Sequence, residues 1–473
     1  MAFRLAGLRL RRHDLSSVTS LAGKTSKMIP VTRRVFRSLS GAFALAALVL
    51  AGPSALATPR IVYTGTLQGA GDIVMELDSQ PAADGSVAGR YFYPKHGVDI
   101  PLKGTPQALH EPRTYHEIKE SGGDPESDAS PPAATWSGTR DAAGYHGKWV
   151  DARTGKTRTF TLRRVADYDP EALAPGAVQA VTDAISGGVG SGIDSNSDID
   201  AQHAPYESRK LAGHAVPVGH DVGNAVVAYR LWRDPRTKFS YPRLSRHPDP
   251  QVLVRINHLL EQRHWQMNLA ALGCMATIYT DGNPAAGTLG SYDDERVTVD
   301  WLSTALMTVT ESGSLYCGGA HPHNHFEPYT FDLLRGDYLD WNRLFDAYVP
   351  GNDGWRKASP TLLALMERAR APLAAVRSQD KTSDQIPDNA QGKTQSKTQQ
   401  VAQDPADDNA LDGCSDIWPD YLALSVGSPG ELVLSVSGIG HAMGACLGPH
   451  ASLPFKALKP YLKPGGQAYL VTE

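Results

Sequence analysis

"RVTVDWLSTALMTVTESGSLYCGGAHPHNHFEPYTFDL", residues 296–333, decides the fold class of the C-terminal half. Apolar and polar residues alternate at both ends of the stretch, with the period of a strand rather than of a helix. Gly318 and Gly319 interrupt the alternation, so the expected object is strand material on both sides of a glycine turn. Three alternate histidines, His321, His323 and His325, lead into the second strand. Imidazoles at i and i+2 of a strand share a face with side chains ~7 Å apart, close enough to chelate one ion. His321 and His325 would be about 13 Å apart in an extended strand, too far for one tetrahedral sphere. The candidate metal pair is therefore His321 and His323, with zinc as the ion and a further ligand from Glu327, His441 or His450. The structural alternative has His321 hydrogen-bonded in the turn, with the other two facing solvent.

Working outward, the period switches between 2 and 3.6. "PQVLVRINHLLEQRHWQMNLAAL", 250–272, sets Val252, Ile256, Leu259, Leu260, Leu269 and Leu272 at roughly helical spacing, so an amphipathic helix is expected. "NAVVAYRLW", 224–232, reads as a strand, and "FEPYTFDLLRGDYLDWNRLF", 326–345, as a strand, a turn at Gly336 and a short helix. A second helix is expected in "SPTLLALMERARAPLAAVR", 359–377, and late strands in "YLALSVGS" and "ELVLSVSG" before a helical or turn ending, "LPFKALKPYL". Residues 206–473 thus read as a mixed α+β domain with an antiparallel sheet. Residues 378–413, rich in Gln, Lys, Asp and Thr and nearly free of large apolar side chains, read as a disordered insertion.

The preceding 58–165 differ. "RIVYTGTL", "DIVMELD", "GSVAGRYFYP", "VDIPLKG", "ATWSGTR", "YHGKWVD" and "TRTFTLRRV" alternate and are separated by Gly, Asp and Pro turns. Regularly spaced short strands predict a small all-β barrel or sandwich. Its aromatics Tyr63, Tyr91, Tyr93, Trp136 and Trp149 either fill that core or line a groove. Residues 166–205, with a short helical candidate and the acidic run "GGVGSGIDSNSDIDAQ", read as a linker.

Residues 1–57 hold nine Lys/Arg and one acid, Asp14. An apolar run from about Leu39 to Leu50, a break at Pro53 and the ending Ala55-Leu56-Ala57 form a signal peptide with cleavage expected after Ala57. "TRRVFR", 32–37, resembles the twin-arginine export motif, although a general secretory signal has the same outline, and Met28 is a possible true start. Export leaves 37 basic against 49 acidic side chains, about −12, which argues against nucleic acid as a partner. No later segment approaches ~18 unbroken apolar residues, so no membrane span is expected after signal removal.

Four cysteines, Cys274, Cys317, Cys414 and Cys446, show no C-x-x-C spacing. In an oxidising compartment they read as two disulfides; three pairings are open, and neighbouring order favours 274–317 with 414–446.

Cys317-Gly318-Gly319-Ala320-His321-Pro322, Tyr329-Thr330-Phe331-Asp332-Leu333, Gly336, Leu339 to Phe345, the paired late strands and "LPFKALKPYL" resemble an exported bacterial family, domain of unknown function 3298. The preceding β-rich segment looks like a second uncharacterised exported domain. Relatives of the family include the extracellular part of lysozyme-sensing anti-sigma factors, so the resemblance implies a periplasmic or secreted setting and a binding role. The expected function is a non-enzymatic module that binds an envelope component or a protein such as lysozyme, with no catalytic residues assigned. A metal-dependent envelope hydrolase centred on His321 and His323 is the competing class, and a structural envelope protein the third. No nucleophile elbow or phosphate loop is present in the sequence.

Overall fold

The computed structural model describes residues 58–125, 130–170, 199–290, 295–319, 322–350, 356–369, 414 and 417–471. The signal peptide, most of the helical candidate and acidic run, and the 378–413 insertion lie outside them.

The first half is a closed, up-and-down, eight-stranded barrel. Its strands are β1 (Arg60–Leu67), β2 (Gly71–Asp78), β3 (Val87–Phe92), β4 (Ile100–Gly104), β5 (Ala108–Glu111), β6 (Ala134–Arg140), β7 (Gly144–Asp151) and β8 (Thr157–Tyr168). β8 pairs back onto β1 and leaves no open edge. Inward positions carry Tyr63, Met75, Tyr91, Trp136, Tyr145 and Phe160, all almost fully buried. The aromatic residues Tyr63, Tyr91 and Trp136 therefore fill the core, with Trp149 packed against it. One carboxylate is buried among them. Glu111 Oε1 accepts from Tyr91 Oη at 2.9 Å, Trp136 Nε1 at 2.6 Å and Trp149 Nε1 at 2.7 Å.

Helix α1 (Tyr115–Glu120) is closed by a capping box between Thr114 and Glu117. Helix α2 (Pro205–Leu211) lies on the outside of the barrel. Tyr206 packs on Phe92 at 5.0 Å, and Val62 and Val74 complete the apolar patch. Around it Lys210 bonds Asp99 at 2.8 Å, Arg90 bonds Glu207 at 2.7 Å, and Tyr206 Oη donates to Asp99 at 2.7 Å. From Leu56 onward the chain is one compact unit.

The second half is α+β. β9 (Val216–Gly223), β10 (Ala228–Arg233) and β11 (Ser240–Arg246) form one antiparallel sheet. Helix α3 (Pro250–Ala276) follows, started by Asp249, whose carboxylate accepts from the Gln251 and Val252 amides, with Pro250 in the first turn. A central sheet comes next, in the order β12 (Arg296–Leu302), β13 (Leu306–Leu315), β14 (His323–Asp332) and β15 (Asp337–Tyr338). The hairpin β16 (Tyr348–Pro350) and β17 (Arg356–Ala358), a helix at 360–369, and the sheet β18 (Leu422–Gly427), β19 (Glu431–Val436), β20 (Gly448–Pro454) complete it.

Strand periodicity divides the central sheet into two working faces. Met307, Val309, Tyr329 and Phe331 pack with Ile256 and Leu260 of α3 and Tyr241 of β11. The other face meets β18–β20: Leu306 clusters with Leu424 and Leu434, and Val426 N donates to Thr308 Oγ1 at 3.3 Å. Gly318 and Gly319 take φ of 120° and 91° in the turn before β14, a region that favours glycine. Two disulfides join Cys274 to Cys317 and Cys414 to Cys446, with Cα atoms 5.1 and 5.5 Å apart. No described helix is long and apolar enough to cross a membrane.

Candidate functional site

The histidine strand enters the α3-facing side of the central sheet. In the register of β12, β13 and β14, Arg296 lies opposite Ser312, and Gly313 lies opposite His325. Glu295, one residue before β12, is therefore level with Gly313. Neighbouring strands are ≈ 4.8 Å apart, so side chains from β12 and β14 must span about 10 Å. A glycine between them leaves the space open, and Glu295 Oε1 meets His325 Nε2 at 2.9 Å. The imidazole is 9% exposed and the carboxylate 3%. This corrects the expectation that His325 faces solvent: the absent side chain at Gly313 and the acid at Glu295 draw it inward.

The next row of the same face holds Glu311 and Glu327, direct cross-strand partners. The buried Glu311 carboxylate beside the part-exposed Glu327 needs a cation, and α3 supplies Arg263. Its Nε bonds Glu311 Oε1 at 2.9 Å and its Nη2 bonds Glu311 Oε2 at 2.6 Å, while Nη2 stands 3.7 Å from Glu327 Oε2. The guanidinium lies over the Tyr329 ring at 4.2 Å. Tyr241 Oη donates to Glu311 at 2.7 Å and Tyr329 Oη to Glu327 at 2.8 Å.

Burial raises the Glu295 pKa above the ordinary carboxylate value, against the lowering pull of its bond to His325. Burial also opposes charge on His325, but the Glu295 bond and the charges of Glu295, Glu327 and Glu311 outweigh it and hold its pKa above the usual imidazole value. His323 stacks parallel to His325 at 6.0 Å, and burial together with that neighbour lowers its pKa. Glu295 Oε2 and His325 Nδ1 are buried without a hydrogen-bond partner. The dyad can hold and relocate a proton on the α3-facing side of the sheet.

Of the expected metal pair, His321 and the side chain of the auxiliary ligand His441 lie outside the described residues. His323 shares its face with His325 and Glu327, whereas His450 lies in β20 and donates to the Cys446 carbonyl at 2.7 Å. Among the described residues no group of three His, Cys, Asp or Glu side chains is arranged to hold a metal.

The opposite face of the same three strands borders a groove of about 640 Å³. One wall is Thr298, Asp300, Thr310, Ser312 and Phe326, and the other includes Ser425, Glu431, His450 and Ser452. Thr298 and Thr310 donate to the two oxygens of Asp300, and Ser452 donates to Glu431 at 2.6 Å. Hydroxyls, two carboxylates and one aromatic ring make a surface that accepts hydrogen bonds from O–H and N–H donors. Apart from His450, named as a candidate metal ligand, sequence reasoning missed these residues. The signal was the polar alternate set of "VTVD" and "TVTES", which marks a second face without showing that another sheet covers it. Compared with known protein families and with curated proteins, the chain matches none.

Proposed function

We propose that the protein is an exported, non-enzymatic binding module whose α+β domain holds a hydroxyl-rich glycan segment of the cell envelope. The carrying observation is the groove between β12–β14 and β18–β20, where Asp300 and Glu431 stand among five Ser/Thr hydroxyls and the Phe326 ring. Sugar hydroxyls donate well to carboxylates, and a sugar ring packs its C–H face on an aromatic plane; clefts of this size suit one or two such rings. Binding rather than turnover is supported by the groove's carboxylates, which already accept hydrogen bonds from neighbouring hydroxyls, Asp300 from Thr298 and Thr310 and Glu431 from Ser452. The proton-sharing pair Glu295–His325 is buried on the α3 side of the sheet, away from the groove. Export is supported by the apolar N-terminal segment ending Ala55-Leu56-Ala57, and by two disulfides, which persist in oxidising compartments. The resemblance to domain of unknown function 3298 agrees with that setting.

Co-sedimentation of the purified protein with insoluble cell-wall glycan tests the reading. Wall binding that weakens about fivefold or more in Phe326→Ala and Glu431→Gln variants is the expected result. Retention on immobilised lysozyme but not on wall glycan would replace the glycan with a protein partner. Release of new reducing ends from the glycan would overturn the non-enzymatic assignment.

A further inference from the structure

A second concave site lies at one end of the barrel, independent of the groove. Its volume is about 400 Å³, and its lining includes Tyr63, Gln107, Thr139, Arg140 and Arg164. Register explains how two arginines come to stand there. Residues directly opposite in an antiparallel pair share a face. Arg140 lies opposite Tyr145, and Tyr63 lies opposite Arg164. Tyr145 and Tyr63 point into the barrel core, at 0% and 1% exposure, so both guanidinium groups belong to the inward rows and end them at the mouth. Below them run the aromatic contacts Tyr63–Tyr145 at 6.3 Å, Tyr145–Phe160 at 4.7 Å and Phe160–Trp136 at 4.8 Å.

Two arginines and two aspartates, Asp141 among the lining, stand at this end, and their pairing is uneven. Arg164 is held by Asp167. Asp141 Oδ1 is occupied by the backbone amides of Ala143 and Gly144, at 2.8 and 2.9 Å. Arg140 makes one long hydrogen bond, Nη1 to the Asp78 carbonyl at 3.3 Å, and has no acidic partner among the described residues. Its strand neighbour Tyr145 buries a hydroxyl with no hydrogen-bond partner. A guanidinium that lines a concave site with one long hydrogen bond and no acidic partner is a donor with an unmet need.

We propose that the barrel mouth binds a small oxyanion, a carboxylate or a phosphate group, on the planar fork of Arg140. Thr139 and Gln107 supply neutral polar contacts at the rim. The mouth of a small barrel is a recurrent position for such sites, because the strands fix the donors before the ligand arrives.

Titrating the purified chain with inorganic phosphate and, separately, acetate at constant ionic strength tests this by calorimetry and thermal unfolding. Saturable binding of one anion, with a rise in Tm, is expected. Binding of phosphate alone assigns a tetrahedral group, and of acetate alone a carboxylate. Arg140→Gln should weaken binding about tenfold or more. If Arg140→Gln loses the near-ultraviolet signature of the packed barrel, Arg140→Lys carries the test, since it keeps the charge and removes the fork. Neither anion acting beyond a chloride control, or undiminished binding in the folded arginine variant, would overturn the proposal.

Discussion

Glu295 reaches His325 across the bare backbone of Gly313, joining the first and third strands of the central sheet by a 2.9 Å bond. The contact exists because the middle strand contributes no side chain at that level. Gly313→Val should therefore destabilise the protein by about 2–4 kcal/mol, through overpacking and separation of a buried pair. An open strand position would respond the other way, since valine favours strands by up to ~1 kcal/mol over glycine. Urea unfolding decides the sign.

Three buried groups pull the pH dependence of stability in opposite directions. His325 and Glu295 both have raised pKa values and bind protons more tightly when folded. Their contributions are full at low pH and are lost as pH rises, for Glu295 from above about 4.5 and for His325 from above about 6.5. His264 is opposite. Burial, with Arg243 adding to it, lowers its pKa to about 4. The neutral ring therefore contributes about 3 kcal/mol at neutral pH, lost as pH falls from 6.5 toward 4. Urea midpoints between pH 4 and 9 should show a maximum near neutrality. His325→Gln should flatten the alkaline limb and leave the acid limb in place.

Arg263 is the cation that makes the Glu311–Glu327 row tolerable. Arg263→Met should cost about 3–5 kcal/mol, because it leaves the buried Glu311 carboxylate uncompensated. Arg263→Lys should recover only part of this, having the charge without the two-pronged geometry on Glu311. A Lys variant as stable as the parent would show that charge alone suffices there.

The Cys274–Cys317 bridge closes a span of 43 residues and ties the end of α3 to the turn before β14. Replacing both cysteines with serine should lower stability by about 3–4 kcal/mol on the loop-entropy scale. Hydrogen exchange should quicken first at 317–325, where the lost tether leaves a glycine turn. Uniform acceleration across the second half would contradict that localisation.

Much of the architecture was legible because alternation is a local property. The seven quoted barrel segments each contain a strand of the barrel, and both disulfides follow neighbouring order. The remaining strand, β5, is only "ALHE" and too short to alternate visibly, yet it joins β4 to β6 and carries Glu111. Helix α1 was overlooked although Thr114 and Glu117 stand in capping-box spacing. The candidate site was less legible for a different reason. Alternation says that His323 and His325 share a face, but not which face is covered. That was decided by Glu295 and Gly313 on two other strands, and by Arg263 on a helix more than fifty residues upstream. The barrel-mouth arginines required the register of a closed sheet, which no single strand contains.

Helix α2 has a consequence for how this chain can be divided. A cut in the linker before Pro205 would take away Tyr206, Glu207 and Lys210, and bare an apolar scar at Val62, Val74 and Phe92 on the outer wall of the barrel. Arg90 would keep Glu76 and Asp99 but lose its bond to Glu207, and Asp99 would lose the Lys210 cation. The barrel is therefore poorly suited to exist as a transplantable cassette: its finished exterior is completed by chain that sequence places after the linker.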